Sequence, residues 1–397
     1  MSWQIDLDFP GANGCGAAAA ATPGGAAAVS LTPDPREAPE ALWFRFRLWR
    51  LDAEAPPPAL LLRNVDTLLG GGDGSALQPV IRRDGGPWER LPRGEPAAHA
   101  DGRRDARWGL PDAAALIEVA FCYPYGPEEL AALLGRARGL RLQTIGASER
   151  GRPLWRVDNG PGAVGSARPG LFVVARQHSG ETPGSWVLDG LLERIAELGE
   201  AAPLTWAIPF ADHDGVVEGR YGKDRHPVDF NRAWSANGRM AYRHETHCLL
   251  REFERWRERC APRLALDLHA PGAQERHGCF FFLPRLQEED GAPLPETTAW
   301  AERLRAAFGE YAAAERERFF RFADYPSRWP RATHLTFTRW ATRARNLPAL
   351  SMETSYQGNA GRAFRIEDYR AIGRAIADAA AAGLPSGAAP AESEGKS

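Results

Sequence analysis

His178-Ser179-Gly180-Glu181 and, further along, His269 and Glu353 are the residues whose types and placing could do metal and proton chemistry in this chain. Neutral imidazole and carboxylate suit Zn²⁺, and two His with one Glu make a three-ligand set that leaves a fourth position for water. Zinc lowers the pKa of such a water toward ~7 and polarises a carbonyl. A carboxylate outside the ligand set, Glu353, could take the water's proton and pass it to a leaving amine. Alone, His-x-x-Glu is a weak signal, because a chain with 9 His meets it readily by chance. One buried strand ending in a His is more often structural. Three such ends in one region are harder to set aside.

The elements around these residues explain how they could meet. Leu171 to Ala175 is an apolar run that reads as a buried strand, with His178 and Glu181 just beyond it. Thr182-Pro183-Gly184-Ser185 then opens an amphipathic helix over 186–198, with Ser185 or Thr182 as its N-cap. Leu264 to His269 and Leu347 to Glu353 are two more apolar runs, one ending in a His and one in a carboxylate. In an open α/β sheet, ligands bind beyond the carboxyl ends of strands, so the three ends should share one edge. From residue 119 strands and helices alternate, as an α/β sheet requires. Further strands are expected at 140–145, 153–157, 207–210 and 280–283, helices at 127–138, 240–260, 297–308, 311–319 and 366–382, and an irregular stretch at 211–234. Residues 1–118 carry strand signals instead: alternation at 44–48, an apolar run at 59–62 and a hairpin at 80–90 around Asp-Gly-Gly. That pattern suggests an all-β sandwich, with the biased stretches 17–28 and 95–104 as loops. The Pro/Gly/Ala/Ser-rich end, 384–397, is expected to be disordered.

Composition excludes some classes. A net charge of −2 gives no footprint for nucleic acid or an anionic membrane. Five scattered Cys without Cys-x-x-Cys spacing favour free thiols and a reducing compartment. The first residues lack a basic, then apolar, leader, and the run Ala17 to Ala21 is too short to span a membrane. The expectation is a cytoplasmic protein.

Residues ~120–382 resemble zinc metallocarboxypeptidases of the pancreatic carboxypeptidase superfamily, nearer the cytosolic carboxypeptidase-like branch than the secreted enzymes. The matching motifs are His178-Ser179-Gly180-Glu181, Asp214-Gly215-Val216 followed by Asp229-Phe230-Asn231-Arg232, Asp267-Leu268-His269, and Glu353-Thr354-Ser355-Tyr356. They stand in the family's order, and the lead-in Phe121-Cys122-Tyr123-Pro124-Tyr125 is also similar. The resemblance implies an α/β fold: a C-terminal mixed-sheet catalytic domain, 119–383, preceded by the β-sandwich domain, 1–118. It implies one Zn²⁺ per chain held by His178, Glu181 and His269, with Glu353 as base and acid. Asn231 and Arg232 would bind the terminal carboxylate of a peptide or protein tail, Arg232 through its planar fork.

The departures from the family pattern bear on substrate more than on chemistry. Where the family places an Arg that polarises the scissile carbonyl, Lys223 matches best, with Arg220 and Arg225 as rivals. Gly180 stands where secreted members carry Arg. The stretch that floors the side-chain pocket in the resembling enzymes falls at Thr338-Arg339, and an Arg339 there would favour acidic C-terminal side chains. His213 and His226 could touch substrate; His244 and His247 sit on a helix dense in Arg and Glu, which reads as a solvated face. Two rival functions remain at this level: an aspartoacylase-like zinc amidohydrolase, and a zinc-bearing binding protein without turnover. Intact Glu353 argues against the second.

Overall fold

A computed structural model describes residues 2–21, 27–68, 74–98, 102–111, 114–286, 292–316, 320–321 and 328–383. The expected disordered end, 384–397, lies outside the described residues.

The first part of the chain builds two five-stranded sheets. One is antiparallel, in the order Trp3–Asp6, Arg45–Arg50, Leu116–Ala120, Val80–Arg83, Trp88–Arg90. The alternation along Arg45–Arg50 works as the sequence implies: Phe46 and Leu48 are buried, and Arg45 and Arg47 turn to the other face. There they meet Glu118 of the neighbouring strand at 2.8 and 3.1 Å, joined by Arg82 at 3.2 Å. The second sheet runs Cys15–Ala21, Ala27–Thr32, Ala59–Leu62, Arg104–Gly109, Glu95–Ala98. Two stretches expected as loops are therefore strands in large part. Alanine is a poor strand former and its uniform run carries no period, so only the ladder to Val29 and Ser30 decides the matter.

The larger sheet has eight strands, in the order Arg141–Ala147, Pro153–Asp158, Leu204–Ile208, Pro169–Ala175, Ala261–His269, Ala349–Asn359, His277–Phe282, Phe320–Arg321. Four central strands are parallel, Leu204–Ile208 through Ala349–Asn359; each side joins them by an antiparallel pair, and the edge strand Phe320–Arg321 runs parallel to His277–Phe282. The fold is thus mixed α/β behind an all-β part. After Pro169–Ala175 the chain goes to the strand on one side, then crosses back to Ala261–His269 on the other. That reversal opens a crevice at the strands' carboxyl ends. Both faces are covered, which is why these strands read as continuous apolar runs. Leu171 and Val173 pack into the core that holds Leu188, Leu191, Ile372 and Ile376 of the helices Thr182–Leu198 and Ile366–Ala382. Phe172 and Val174 pack on the other side with Leu249 and Phe253 of His244–Arg257 and Phe337 and Trp340 of Phe337–Arg345.

Several helix expectations need correction. The helix after the central strand starts at Thr182, not Trp186, with Pro183 in its first turn and Glu181 at the N-cap position. The Glu181 carboxylate does not cap the helix, because other donors take it. The helix expected at 240–260 is His244–Arg257; Ala241 bridges Trp234 instead, and Arg243 is extended at the N-cap. Of the helix expected at 311–319, Ala312 instead bridges Cys279, and 317–319 lie outside the described residues. The stretch expected to be irregular holds the short helix His213–Val217. The helix Phe337–Arg345 was not anticipated, although Thr336 caps it through Arg339 N and Asn346 ends it in the left-handed conformation.

Candidate active site

Register brings the reactive residues together. Ala175 pairs with Leu268, and His269 pairs directly with Glu353. Alternation then sets the face: Ala265, Asp267 and His269 point one way, as do Ala349, Ser351 and Glu353. The turn after Ala175 must bend back over this edge. Arg176 takes a left-handed φ of 59°, which a non-glycine adopts at a cost that the surroundings must offset. Its buried guanidinium donates to the carbonyls of Ser179 and Tyr125 and to Ser185 Oγ, fixing the turn.

His178, Glu181 and His269 offer one ligand atom each within 4.8 Å of one another, and all three are buried. Both imidazoles aim Nδ1 at the carboxylate: His178 to Oε1 at 2.8 Å, His269 to Oε2 at 2.8 Å. Their outer nitrogens are anchored too, His178 Nε2 on Asp229 at 3.2 Å and His269 Nε2 on Asp267 at 2.9 Å. Such partners fix ring orientation and raise the basicity of a metal-ligating His. Gln177 extends the frame: its amide donates to Asp267 at 2.8 Å and to Asn231 Oδ1 at 3.2 Å, and its carbonyl accepts from Trp234 Nε1.

Electrostatics agree with this donor set. Burial opposes charge on His178, but Glu181 and Asp229 outweigh it and raise its pKa to about 9. His269 is likewise driven well up, against burial, by Asp267 and Glu181. Burial pushes Glu181 up, yet the two imidazoles win and bring it to about 2. Two protons therefore stand against one carboxylate where a divalent cation fits. Glu353 differs. Burial raises it most, His269 opposes, Glu181 adds, and the result is about 7. Its Oε2 is buried without a hydrogen-bond partner among the described residues, as are the hydroxyls of Tyr221 and Tyr356. Both tyrosines feel the charges of Glu181 and Glu353. Orphaned buried polar atoms around a ligand triad are what a site for an ion, a water and a substrate should show.

The remaining expected residues divide. Arg220 is engaged by Glu37 at 2.5 Å and Glu218 at 2.8 Å, and Arg225 by Asp212 at 3.1 Å. Lys223 lies 3.5 Å from Glu40, and its charge is felt by Glu353. Asn231 points inward, its amide nitrogen 3.0 Å from His269 Nε2 and its oxygen accepting from Phe337 N. Arg232 is half-buried and donates to the Asn231 carbonyl at 2.8 Å. Arg339 is half-buried on Phe337–Arg345, whose Thr338 hydroxyl meets Ser351 at 3.0 Å, two positions before Glu353. His213 stacks on Phe210, lies tilted against Trp155 and bonds the Pro153 carbonyl. His226, His244 and His247 are exposed. Gly180 has a physical reason: a Cβ there would sit 3.0 Å from Tyr221 Cα, so no side chain fits without a shift. Asp229, Asp267 and Tyr356 stood inside the quoted motifs without an assigned role; Gln177 and Tyr221 had no signal beyond adjacency.

No family model matches the chain. Cytosolic carboxypeptidase 6 of Caenorhabditis elegans is 24% identical over 230 residues, covering 51% of this chain and 48% of that protein. Cytosolic carboxypeptidase 1 of Gallus gallus is 36% identical over 73 residues, 17% of this chain and 6% of that one. The match thus spans about half the length of the first of these relatives and far less of the second. Among solved structures, a metallo-carboxypeptidase from Burkholderia cenocepacia shares the fold with TM-score 0.72 at 20% identity, over 96% of this chain and 98% of that one. A metallo-carboxypeptidase from Pseudomonas aeruginosa, in complex with (2-guanidinoethylmercapto)succinic acid, aligns with the same score, identity and coverage.

Proposed function

We propose that this member of the metallocarboxypeptidase superfamily is a zinc carboxypeptidase that removes C-terminal residues from peptides or protein tails. The observation that carries the reading is the buried His178–Glu181–His269 triad, with the unpartnered Glu353 Oε2 beside it. His178 Nδ1, His269 Nδ1 and the Glu181 carboxylate would hold one Zn²⁺, with Asp229 and Asp267 orienting the rings. When bound, zinc would supply Lewis acidity toward a carbonyl and toward water. Glu353, poised near pH 7, takes a proton from the attacking water and gives it to the departing amine. Lys223 offers positive charge to the oxygen that gains charge in the transition state. Arg232 pairs with the substrate's terminal carboxylate, and Asn231, already engaged by His269, contributes by fixing that wall. Arg339, at the start of the helix tied to Ser351, favours an acidic C-terminal side chain. Five unpaired cysteines and the names of the sequence relatives support residence in the cytoplasm; among the described residues no helix is long and apolar enough to cross a membrane.

Mass spectrometry of a random peptide pool incubated with the zinc-loaded protein tests the reading. Stepwise loss of C-terminal residues is expected. Loss of N-acyl groups instead would mean an amidohydrolase, and an unchanged pool a binding protein. Peptides ending in Glu should be taken before those ending in Leu or Lys. Amidated peptides should resist, and Arg232→Ala should weaken use of free acids by about 2–5 kcal/mol.

A further inference from the structure

The N-terminal β part reaches into the active site. Two of its loops, 7–14 and 33–44, lie on the segment 217–223, through bonds that leave them little freedom. Gly11 N donates to the Val217 carbonyl at 2.7 Å, and Asn13 Nδ2 to the Gly219 carbonyl at 2.7 Å. Arg36 donates to the Glu218 carbonyl, and Arg220 to Glu37. Arg36 and Glu37 both take left-handed φ, 44° and 70°, which shapes the loop around these contacts. The loop then delivers Glu40. Its Oε2 is buried, accepts no hydrogen bond among the described residues, and stands 3.5 Å from Lys223 Nζ. The segment bearing Lys223 in turn rests on the ligand turn, with Gly180 N donating to the Tyr221 carbonyl at 2.8 Å.

The choice of residue is informative. The chain has 49 basic residues, of which the lysines are Lys223 and Lys396. Arginine presents a rigid fork that locks into its partners, as Arg220 and Arg225 do here. Lysine is a compact charge on a flexible stem, able to swing between two acceptors.

We propose that Glu40 is a positioning residue for Lys223: its carboxylate holds the ammonium in place to meet the substrate carbonyl. The inference rests on the carboxypeptidase reading. It gives the N-terminal β part a role in catalysis besides packing.

The test uses the full-length zinc-loaded protein. Lys223 acetylation by an amine-reactive reagent, read by mass spectrometry with Lys396 as internal reference, should quicken at least about 3-fold in Glu40→Gln, because the amine is no longer held against the carboxylate 3.5 Å away and is open to the reagent. On a free-acid peptide, Glu40→Gln should lower kcat about 10-fold with KM changed less than about 2-fold, and Glu40→Asp should recover part of it. In a Lys223→Met background Glu40→Gln should have no further effect on kcat. Unchanged labelling in Glu40→Gln, or an equal loss of kcat in the Lys223→Met background, overturns the proposal. If the wild type hydrolyses no peptide, the carboxypeptidase reading fails, while the labelling still decides whether Glu40 holds Lys223.

Discussion

Glu181 is placed where two demands on one carboxylate cannot both be met. As the N-cap of Thr182–Leu198 it could cap that helix, yet both its oxygens go to His178 and His269. In the metal-free protein the imidazole protons satisfy it, and this has a sign. The folded pKa of His178, about 9, lies above the ordinary His value of 6.5, so its charge adds stability below about 6.5 that is lost as pH rises through about 9. Thermal melts of the metal-free protein should therefore weaken across that window. With zinc bound the imidazoles are already deprotonated, and the same melts should stay level. If His178, Glu181 and His269 hold zinc as proposed, Asp229→Asn and Asp267→Asn would leave them in place but loosen the rings, so zinc affinity by competition with a chelator should fall ~10–100-fold. On the proposed assignment, with Glu353 as a base outside the ligand set, Glu353→Gln should retain zinc and lose ~10²–10⁴ in kcat. Loss of metal in that variant would reassign Glu353. Activity of the wild type should fall as pH drops below about 7, where Glu353 takes up its proton, and the charge of bound zinc would move that limb lower.

At the scale of elements, the site depends on turns more than on the strands it crowns. Gly222 has φ +91°, and a Cβ there would lie 2.5 Å from Ser179 Oγ and 2.7 Å from Ser179 N. Gly222→Ala should therefore disturb the ligand turn, costing zinc affinity and turnover with far-UV circular dichroism unchanged; full activity would show that the 217–223 segment can move aside. Glu118 makes the opposite case, an element-to-element tie remote from the chemistry. Burial raises its pKa, but Arg45, Arg82 and Arg47 together hold it below the usual Glu value. The stability it provides is present above about 4.5 and is lost as pH falls through its lowered value. Replacing it by Gln leaves three arginines facing one another across two strand pairs. A loss of ~1–3 kcal/mol in denaturant unfolding is expected, with kcat of the remaining folded protein unchanged.

Across the whole molecule, one apolar cluster joins Phe46 and Leu60 of the β part to Val173, Leu191 and Ile372 of the α/β part. We propose that the two parts, divided near residue 118, fold as a unit: calorimetry should show a single transition, and two would separate them. Strand Leu116–Ala120 ties the division itself, pairing with Arg45–Arg50 and Val80–Arg83. The amino-acid sequence by itself determined which candidate reactive residues end the buried strands, and in what order. Apolar runs ending in His178, His269 and Glu353 are local statements, because a strand buried on both faces must be apolar and a reactive side chain just past it must sit at the sheet's edge. The helix Ile366–Ala382 was legible for the same local reason, a sustained 3.6-residue period. Tertiary structure alone decided what depends on partners distant in the chain. The alanine strand forms because Ala27–Thr32 lies beside it. Phe337–Arg345, short and dense in arginine, is a helix because Phe337 and Trp340 find Trp234 and Phe253. Spacing leaves Arg220, Lys223 and Arg225 all as candidates for the site's cation, and only the fold gives them different neighbours: Glu37 and Glu218 hold the first, Asp212 the last, and Glu40, brought from the far end of the chain, meets the lysine between them.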